Sequence, residues 1–170
     1  MKKTSRETCL YPAGKDAPEA VVEKDHPGIE FRGRMDTLDA MFILAAAVAR
    51  KEGEHALARD LIELQRFARG VTGAHASGRP LEPGPLLGRS YGEIHRLSHR
   101  PPGGHPDLGE GTSKLLAYVN LVRTQARSAE RAAVRALDDR DDIVDALNVL
   151  SSAVHVLLCS LHAREKGAGA

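Results

Sequence analysis

The sequence predicts an all-α protein, an up-and-down bundle of four to five helices with a long Gly/Pro-rich loop before the third long helix. Three observations favour this fold. Aromatic residues make up only 4% of the 170 residues and Trp is absent, whereas β-sheets are rich in aromatic and β-branched residues. Apolar residues recur at spacings of four and three in four segments, as in helices packed at shallow angles. Gly and Pro are concentrated between the second and third of these segments.

The first two helices are predicted from their apolar stripes. The first begins at about Asp36 as N-cap and fades at Gly53, with its stripe at Leu38, Met41, Phe42, Ala45 and Val48. The second ends where Gly70 and Gly73 appear, and its stripe is Leu57, Leu61, Leu64, Ala68 and Val71.

The last two helices show the same periodicity. The third has its stripe at Leu115, Val119, Val122, Ala126, Ala129 and Ala133. The fourth follows an acidic turn at 138–142, which suits the positive end of a helix, and its stripe is Ile143, Leu147, Leu150, Val154, Leu157 and Leu161.

The segment 70–111 holds ten of the 16 Gly and six of the nine Pro, together with four of the eight His. A connection of this length within one domain is usually functional or disordered, so we expect a mobile loop, interrupted by one short helix at about 88–97. The remaining division is an N-terminal arm at 1–24, a helical domain at 25–165 and a tail at 166–170.

Charge and motifs exclude several classes of function. The formal net charge is +1, so no overall field favours nucleic acid or an anionic membrane. The longest apolar run, 40–49, is half of the ~20 residues that a membrane span needs, and no apolar leader is present. The sequence lacks the glycine patterns of P-loop and Rossmann proteins and the GxSxG of serine hydrolases. We expect a cytoplasmic protein.

Arginines on the third helix form the most informative cluster. Arg123, Arg127, Glu130 and Arg131 fall within one arc of the helix, with Arg123 beside the apolar stripe. They could be a solvated face with weak surface ion pairs. They could equally be a clamp for phosphate, because like charges one turn apart repel each other unless an anion lies between them.

Polar residues on the otherwise apolar fourth helix also share a stripe, at Asn148, Ser151, Ser152 and His155. They are either a satisfied core network or subunit contact, or a seam that faces a ligand. Three cations lie upstream of the first helix, at Lys24, Arg32 and Arg34.

The histidines of the loop raise the question of a metal. His95 and His99 are one helical turn apart, and His105 could be a third zinc ligand. The segment lacks an HExxH glutamate, and Pro101-Pro102 end any helix there, so we expect no resident metal site. The two cysteines, Cys9 and Cys159, show no metal-binding spacing.

Several segments together resemble the corrinoid adenosyltransferases, helical-bundle enzymes that make adenosylcobalamin from ATP and reduced cobalamin. The resemblance is closest to the ethanolamine-utilisation branch and spans about residues 21–160. It is carried by KDHPGIEFRGRMD at 24–36, HPD and GE at 105–110, LVRTQARSAER at 121–131 and DIVDALNVLSS at 142–152.

The resemblance implies a homotrimer with ATP and cobalamin sites at the subunit interfaces, and Mg²⁺ that accompanies the nucleotide. It implies catalytic roles for Arg123, Arg127 and Asp36, the last pairing with the first arginine across an interface. Positions implied to bind ATP or cobalamin are Lys24, Arg32, Glu130, Arg131 and Asn148. Apolar residues near the loop, among them Phe42, Leu108 and Leu115, are candidates to cover the lower face of the corrinoid.

In the reaction that the resemblance implies, cobalt(I) attacks the 5′ carbon of ATP and expels triphosphate, so the protein needs only to position the reactants and stabilise the leaving group. The implied partners are a reductase or a cobalamin-dependent lyase, with location in the cytoplasm or inside a bacterial microcompartment. This chain departs from the family at Ser128, where a second arginine is usual, and lacks the Gly/Thr-rich phosphate loop of the propanediol branch. The alternative functions are a non-catalytic trimeric cobalamin binder or microcompartment protein, and a metal-binding bundle that uses His95, His99 and His105.

Overall fold

Five helices and a two-stranded antiparallel sheet make up the protein in a computed structural model, which describes residues 4–10, 20–101 and 103–168. The helices are α1 (Pro27–Lys51), α2 (His55–Ser77), α3 (Tyr91–His99), α4 (Lys114–Ala136) and α5 (Asp141–Ala168). Strands β1 (Glu7–Leu10) and β2 (Ala20–Glu23) pair with Glu7 opposite Glu23. The predicted all-α fold is confirmed.

The four long helices pack in a ring around one core. Helix α1 packs against α2 and α4, while α5 packs against α4, α2 and the short α3. Short turns join α1 to α2 and α4 to α5. Every predicted stripe position is buried except Met41 and Leu157, which are partly buried against the same core. The four-and-three periodicity therefore identified the inner face of each long helix correctly.

Helix α1 begins nine residues earlier than predicted, at Pro27 rather than near Asp36. The His26 ring supplies the cap, since its Nδ1 accepts a hydrogen bond from the Gly28 N–H at 3.1 Å. Pro27 follows at the first helical position, where its fixed φ suits a helix and its missing N–H costs nothing. Asp36 is therefore an exposed residue inside the helix and not its cap.

Helix α2 also exceeds its prediction, because it continues through Gly70 and Gly73 to Ser77. Val71 and Ala74 extend the buried stripe, and this packing outweighs the low helix propensity of glycine. The helix ends instead at Gly78, whose φ of 69° is the left-handed conformation typical of a helix C-terminus.

We expect Gly70→Ala to stabilise the protein by about 0.5–1 kcal/mol, because alanine is the better helix former. Gly70 is exposed, and a Cβ built there meets nothing within 4 Å. The free energy of unfolding in urea measures the effect. Gly78→Ala is the matched control and should destabilise, since alanine is strained at positive φ. A Gly70→Ala protein less stable than the wild type would contradict the assignment.

The Gly/Pro-rich segment contains more regular structure than expected. Residues 70–77 belong to α2, and the predicted short helix is α3, displaced by a few residues to 91–99. A capping box begins α3, with Ser90 and Glu93 each accepting a hydrogen bond from the other's backbone N–H. The Leu81 N–H donates to Asp142 Oδ2 at 2.7 Å, which ties the segment to the start of α5.

The Asp142 carboxylate is expected to make stability depend on acid pH. Hydrogen bonds from Arg140 and from the Leu81 N–H outweigh burial and lower the pKa of Asp142 to about 2. As pH falls, the unfolded chain takes up this proton first, so the stabilisation is complete above about pH 4 and lost between about pH 4 and 2. Asp142→Asn should lower the free energy of unfolding by about 1–2 kcal/mol at pH 7.

Urea denaturation of both proteins at pH 7 and pH 3 tests this expectation. The difference between wild type and Asp142→Asn should shrink at pH 3. An equal difference at both pH values would show that the Asp142 charge does not contribute.

Both predicted terminal segments contain regular secondary structure. The arm at 1–24 includes β1 and β2, while residues 11–19 lie outside the described part of the chain. The predicted tail begins at Lys166, but α5 continues to Ala168. By length and composition α5 is apolar enough to cross a membrane, and half of its most apolar window is buried inside the protein.

Candidate functional site

A small cleft lies where α3, α4 and α5 meet. Its volume is about 200 Å³, and its lining residues are Ser98, Arg123, Arg127, Ser151, Ser152 and His155. Two of these side chains are cationic, three are hydroxyls, and none is a carboxylate. This composition suits an anionic ligand. The volume is below the ~300–1,000 Å³ usual for a whole small ligand, so the cleft fits part of a larger one.

The arginine pair is held by the regular turn of α4, which places Arg123 and Arg127 on the same side. Arg123 is half-buried, and its Nε donates to Asn120 Oδ1 at 3.1 Å. Burial, and after it the charge of Arg127, lowers the pKa of Arg123. Arg127 is exposed and forms no ion pair or hydrogen bond within the described ranges. An anion between the two guanidinium groups would relieve their repulsion.

Helix α5 supplies the opposite wall of the cleft. Ser151 is buried and its Oγ donates to the Asn148 carbonyl at 2.9 Å. Ser152 and His155 are half-buried. Burial, followed by the nearby Arg123, lowers the pKa of His155 and so favours its neutral imidazole. Three of the four stripe residues thus face the cleft, which favours the ligand-facing interpretation, whereas Asn148 is exposed outside it.

Asp36 lies elsewhere, on the rim of a cavity of about 480 Å³ between α1 and α2. Its neighbour Asp39 forms the ion pair there, with Arg69 at 2.7 Å and with a hydrogen bond from Gln65. Among the described residues Asp36 has no ion pair. Within one chain, then, Asp36 and Arg123 are not partners.

The other predicted binding residues are spread over the surface and the core. Phe42 is completely buried in the core and offers no surface to a ligand, and Leu115 is 2% exposed. Leu108 is partly buried on the loop before α4. The residues that lie outside the cleft are Lys24, Arg32, Glu130, Arg131 and Asn148. Neither Glu130 nor Arg131 forms one of the ion pairs found in the described ranges, so the surface-pair interpretation of this face finds no support.

The proposed histidine trio of the loop is not assembled. His95 and His99 contact each other edge to face, with ring centroids 4.5 Å apart. His105 lies instead against His155 of α5, with Nδ1 and Nε2 3.2 Å apart. A metal-binding function through His95, His99 and His105 therefore has no geometric basis in this structure.

Sequence reasoning missed Ser98, which α3 contributes to the cleft. Its side chain also donates to the His95 carbonyl at 2.8 Å, as serine commonly does within helices. Nothing in its local pattern separates it from an ordinary helix serine.

A larger cavity of about 690 Å³ lies on the outside of α2, beside Arg50, Arg59 and Arg66, and contains none of the predicted site residues.

Comparison with known proteins identifies a family and individual proteins that are similar to this chain. The model of the cobalamin adenosyltransferase family matches residues 17–161. The corrinoid adenosyltransferase EutT of Escherichia coli (strain K12) is 30% identical, over 89% of this chain and 62% of that protein. EutT of Salmonella typhimurium (strain LT2) is 28% identical, over 82% of this chain and 55% of that protein. The chain thus spans about three fifths of the length of these curated relatives.

Proposed function

The chain belongs to the cobalamin adenosyltransferase family, with its resemblance closest to the ethanolamine-utilisation branch, and from that premise we propose that it is an ATP:corrinoid adenosyltransferase. It would transfer the 5′-deoxyadenosyl group of ATP to cob(I)alamin and form adenosylcobalamin. The observation that carries the proposal is the cleft with two arginines, three serine hydroxyls and no carboxylate.

The proposed reaction requires groups that stabilise negative charge on a leaving triphosphate, and this cleft contains such groups. The Co–C5′ bond forms as the C5′–O bond breaks, and the electron pair of the broken bond leaves with the triphosphate. Cobalt(I) is the nucleophile, so no protein base or covalent nucleophile is needed. Arg123 and Arg127 would bind the triphosphate and stabilise the negative charge that it gains, and the Ser152 hydroxyl can donate a further hydrogen bond.

The small volume of the cleft agrees with a role in binding the triphosphate alone, because about 200 Å³ holds a few phosphate groups but not a corrinoid. The corrinoid would lie outside the cleft, against the loop that carries Leu108. Mg²⁺ would arrive bound to the nucleotide, since the residues lining the cleft include no carboxylate to hold it.

A homotrimer would complete the site. Asp36, Glu130 and Arg131 carry charges without an ion pair in the described ranges, and a second subunit could supply their partners. Ile43 and Leu121 are 46% and 43% exposed on α1 and α4, which suits a subunit interface. We place the protein in the cytoplasm or inside a bacterial microcompartment, near a reductase or a cobalamin-dependent lyase.

Corrinoid spectroscopy tests the function directly. Cob(II)alamin is mixed with the full chain, with and without Mg-ATP, and a reductant is then added. An adenosyltransferase should shift the corrinoid absorption in the presence of ATP and then form a light-sensitive Co–C product. A spectral shift without product would favour the non-catalytic binder. The absence of both would reject the family's activity for this chain.

A further inference from the structure

We propose that His105, His155 and Cys159 bind one divalent transition metal of the zinc class at the wall of the arginine cleft. The proposal goes beyond the adenosyltransferase function and does not depend on it. The ligand atoms of the three residues all lie within 4.8 Å of one another. Among the residues that the structure describes, this is the one such group of three or more histidine, cysteine or acidic side chains.

Two of the three distances between the ligand atoms match the edges of a metal-centred tetrahedron. Zn–N bonds of about 2.0–2.1 Å and a Zn–S bond of about 2.3 Å place neighbouring nitrogens about 3.3 Å apart and sulfur about 3.6 Å from nitrogen. Here His105 Nδ1 is 3.2 Å from His155 Nε2, and Cys159 Sγ is 3.6 Å from the same Nε2. The ligand atoms of the remaining pair, His105 and Cys159, lie within 4.8 Å of each other.

The protein backbone holds the ligands in place. His155 and Cys159 are one turn apart on α5, so both side chains project from the same side of a rigid helix. His105 comes from the loop, which passes close to α5 just before it. A Cβ built on Gly103 would lie 2.5 Å from Ala163 Cβ, and φ there is +79°. Glycine at this position thus allows the close approach that brings the His105 ring over His155.

The chemistry of the three groups suits zinc-like ions. Two imidazoles and a thiolate are borderline-soft ligands that favour zinc and its neighbours over magnesium or calcium. Metal binding would displace the thiol proton of Cys159 and leave the thiolate as the ligand.

Three protein ligands leave the fourth tetrahedral position open. Because His155 also lines the cleft, the three-residue group adjoins the cleft that holds Arg123 and Arg127. Water or an anionic oxygen in the cleft would complete the coordination, as in zinc sites that keep one open position. The expectation of no metal site rested on spacing alone, which could not reveal a ligand 50 residues away from His155.

Cobalt(II) titration of the chelator-treated full chain tests the site. We expect one Co²⁺ per chain, a thiolate-to-cobalt charge-transfer band in the near ultraviolet, and displacement of Co²⁺ by Zn²⁺. Cys159→Ser should abolish the band. His105→Ala should weaken binding at least about tenfold while it leaves the fold intact, because His105 is exposed.

The matched control is His95→Ala, which removes an exposed histidine that contacts His99 and should leave Co²⁺ binding unchanged. Binding without a charge-transfer band, binding that His105→Ala does not weaken, or no stoichiometric binding would each overturn the proposal. If no stoichiometric binding is found, the His105–His155 contact is a hydrogen bond only. The assay contains neither ATP nor corrinoid, so its failure is separate from a failure of the proposed function.

Discussion

Arg127→Ala should reduce adenosyltransferase turnover by about two to three orders of magnitude, the usual cost of removing one group that stabilises transition-state charge. Arg127 lines the cleft, is exposed, and makes no ion pair or hydrogen bond in the described part of the chain. Its removal should therefore leave the fold and the melting temperature nearly unchanged. The measurement is the rate of adenosylcobalamin formation from reduced cobalamin and Mg-ATP, with circular dichroism to check the fold.

Two further variants sharpen this result. Arg127→Lys keeps the charge but loses the planar, bidentate geometry, so it should recover only part of the rate. Arg135→Ala removes an exposed arginine of the same helix that pairs weakly with Glu30 at 3.5 Å, and it should retain full turnover. Near-normal turnover of Arg127→Ala would show that the cleft does not hold the leaving group.

Phe42→Ala should destabilise the protein by about 3–5 kcal/mol, because it leaves a large cavity in the core. Phe42 belongs to α1, and its side chain is fully buried in the core. The resemblance nevertheless made it a candidate to cover the lower face of the corrinoid. A core role predicts a loss of stability, whereas a wall role predicts a loss of corrinoid affinity with little change in stability. The free energy of unfolding in urea distinguishes the two.

An exposed apolar residue is the matched control for Phe42. Val134 of α4 is 57% exposed, so Val134→Ala should change the free energy of unfolding by no more than about 0.5 kcal/mol. Phe42→Leu, which keeps most of the buried volume, should cost less than Phe42→Ala and bind cobalamin as the wild type does. Wild-type stability in Phe42→Ala would place this ring at the surface of the assembled protein.

Sequence patterns predicted the inner faces of the long helices well and their ends less well. Each apolar stripe contains five or six residues, so one irregular residue does not obscure the pattern. A helix end depends on a single cap. Helix α1 is capped by His26 and not by the predicted Asp36, and the cap is a ring nitrogen that accepts a hydrogen bond from the Gly28 N–H. Gly70 and Gly73 indicated a break that the packing of Val71 and Ala74 overrode.

The same contrast holds for the candidate site. Arg123 and Arg127 were recognised from the sequence because both lie on one helix, at a spacing that decides which side they share. Ser98 could not be recognised, because its place in the cleft depends on how α3 packs against α5. The His105 contact is likewise tertiary, since it depends on the close passage of Gly103 beside Ala163.

By itself, then, the sequence determined the helical class, the buried stripes, the arginine pair and the family resemblance, all of which depend on short-range periodicity or on ordered motifs. Only the tertiary structure decided that α3, α4 and α5 enclose an anion-suited cleft and that His105 meets His155 and Cys159. The physical reason is separation along the chain. Contacts between residues about 50 positions apart arise from packing of helices, and no local spacing encodes them.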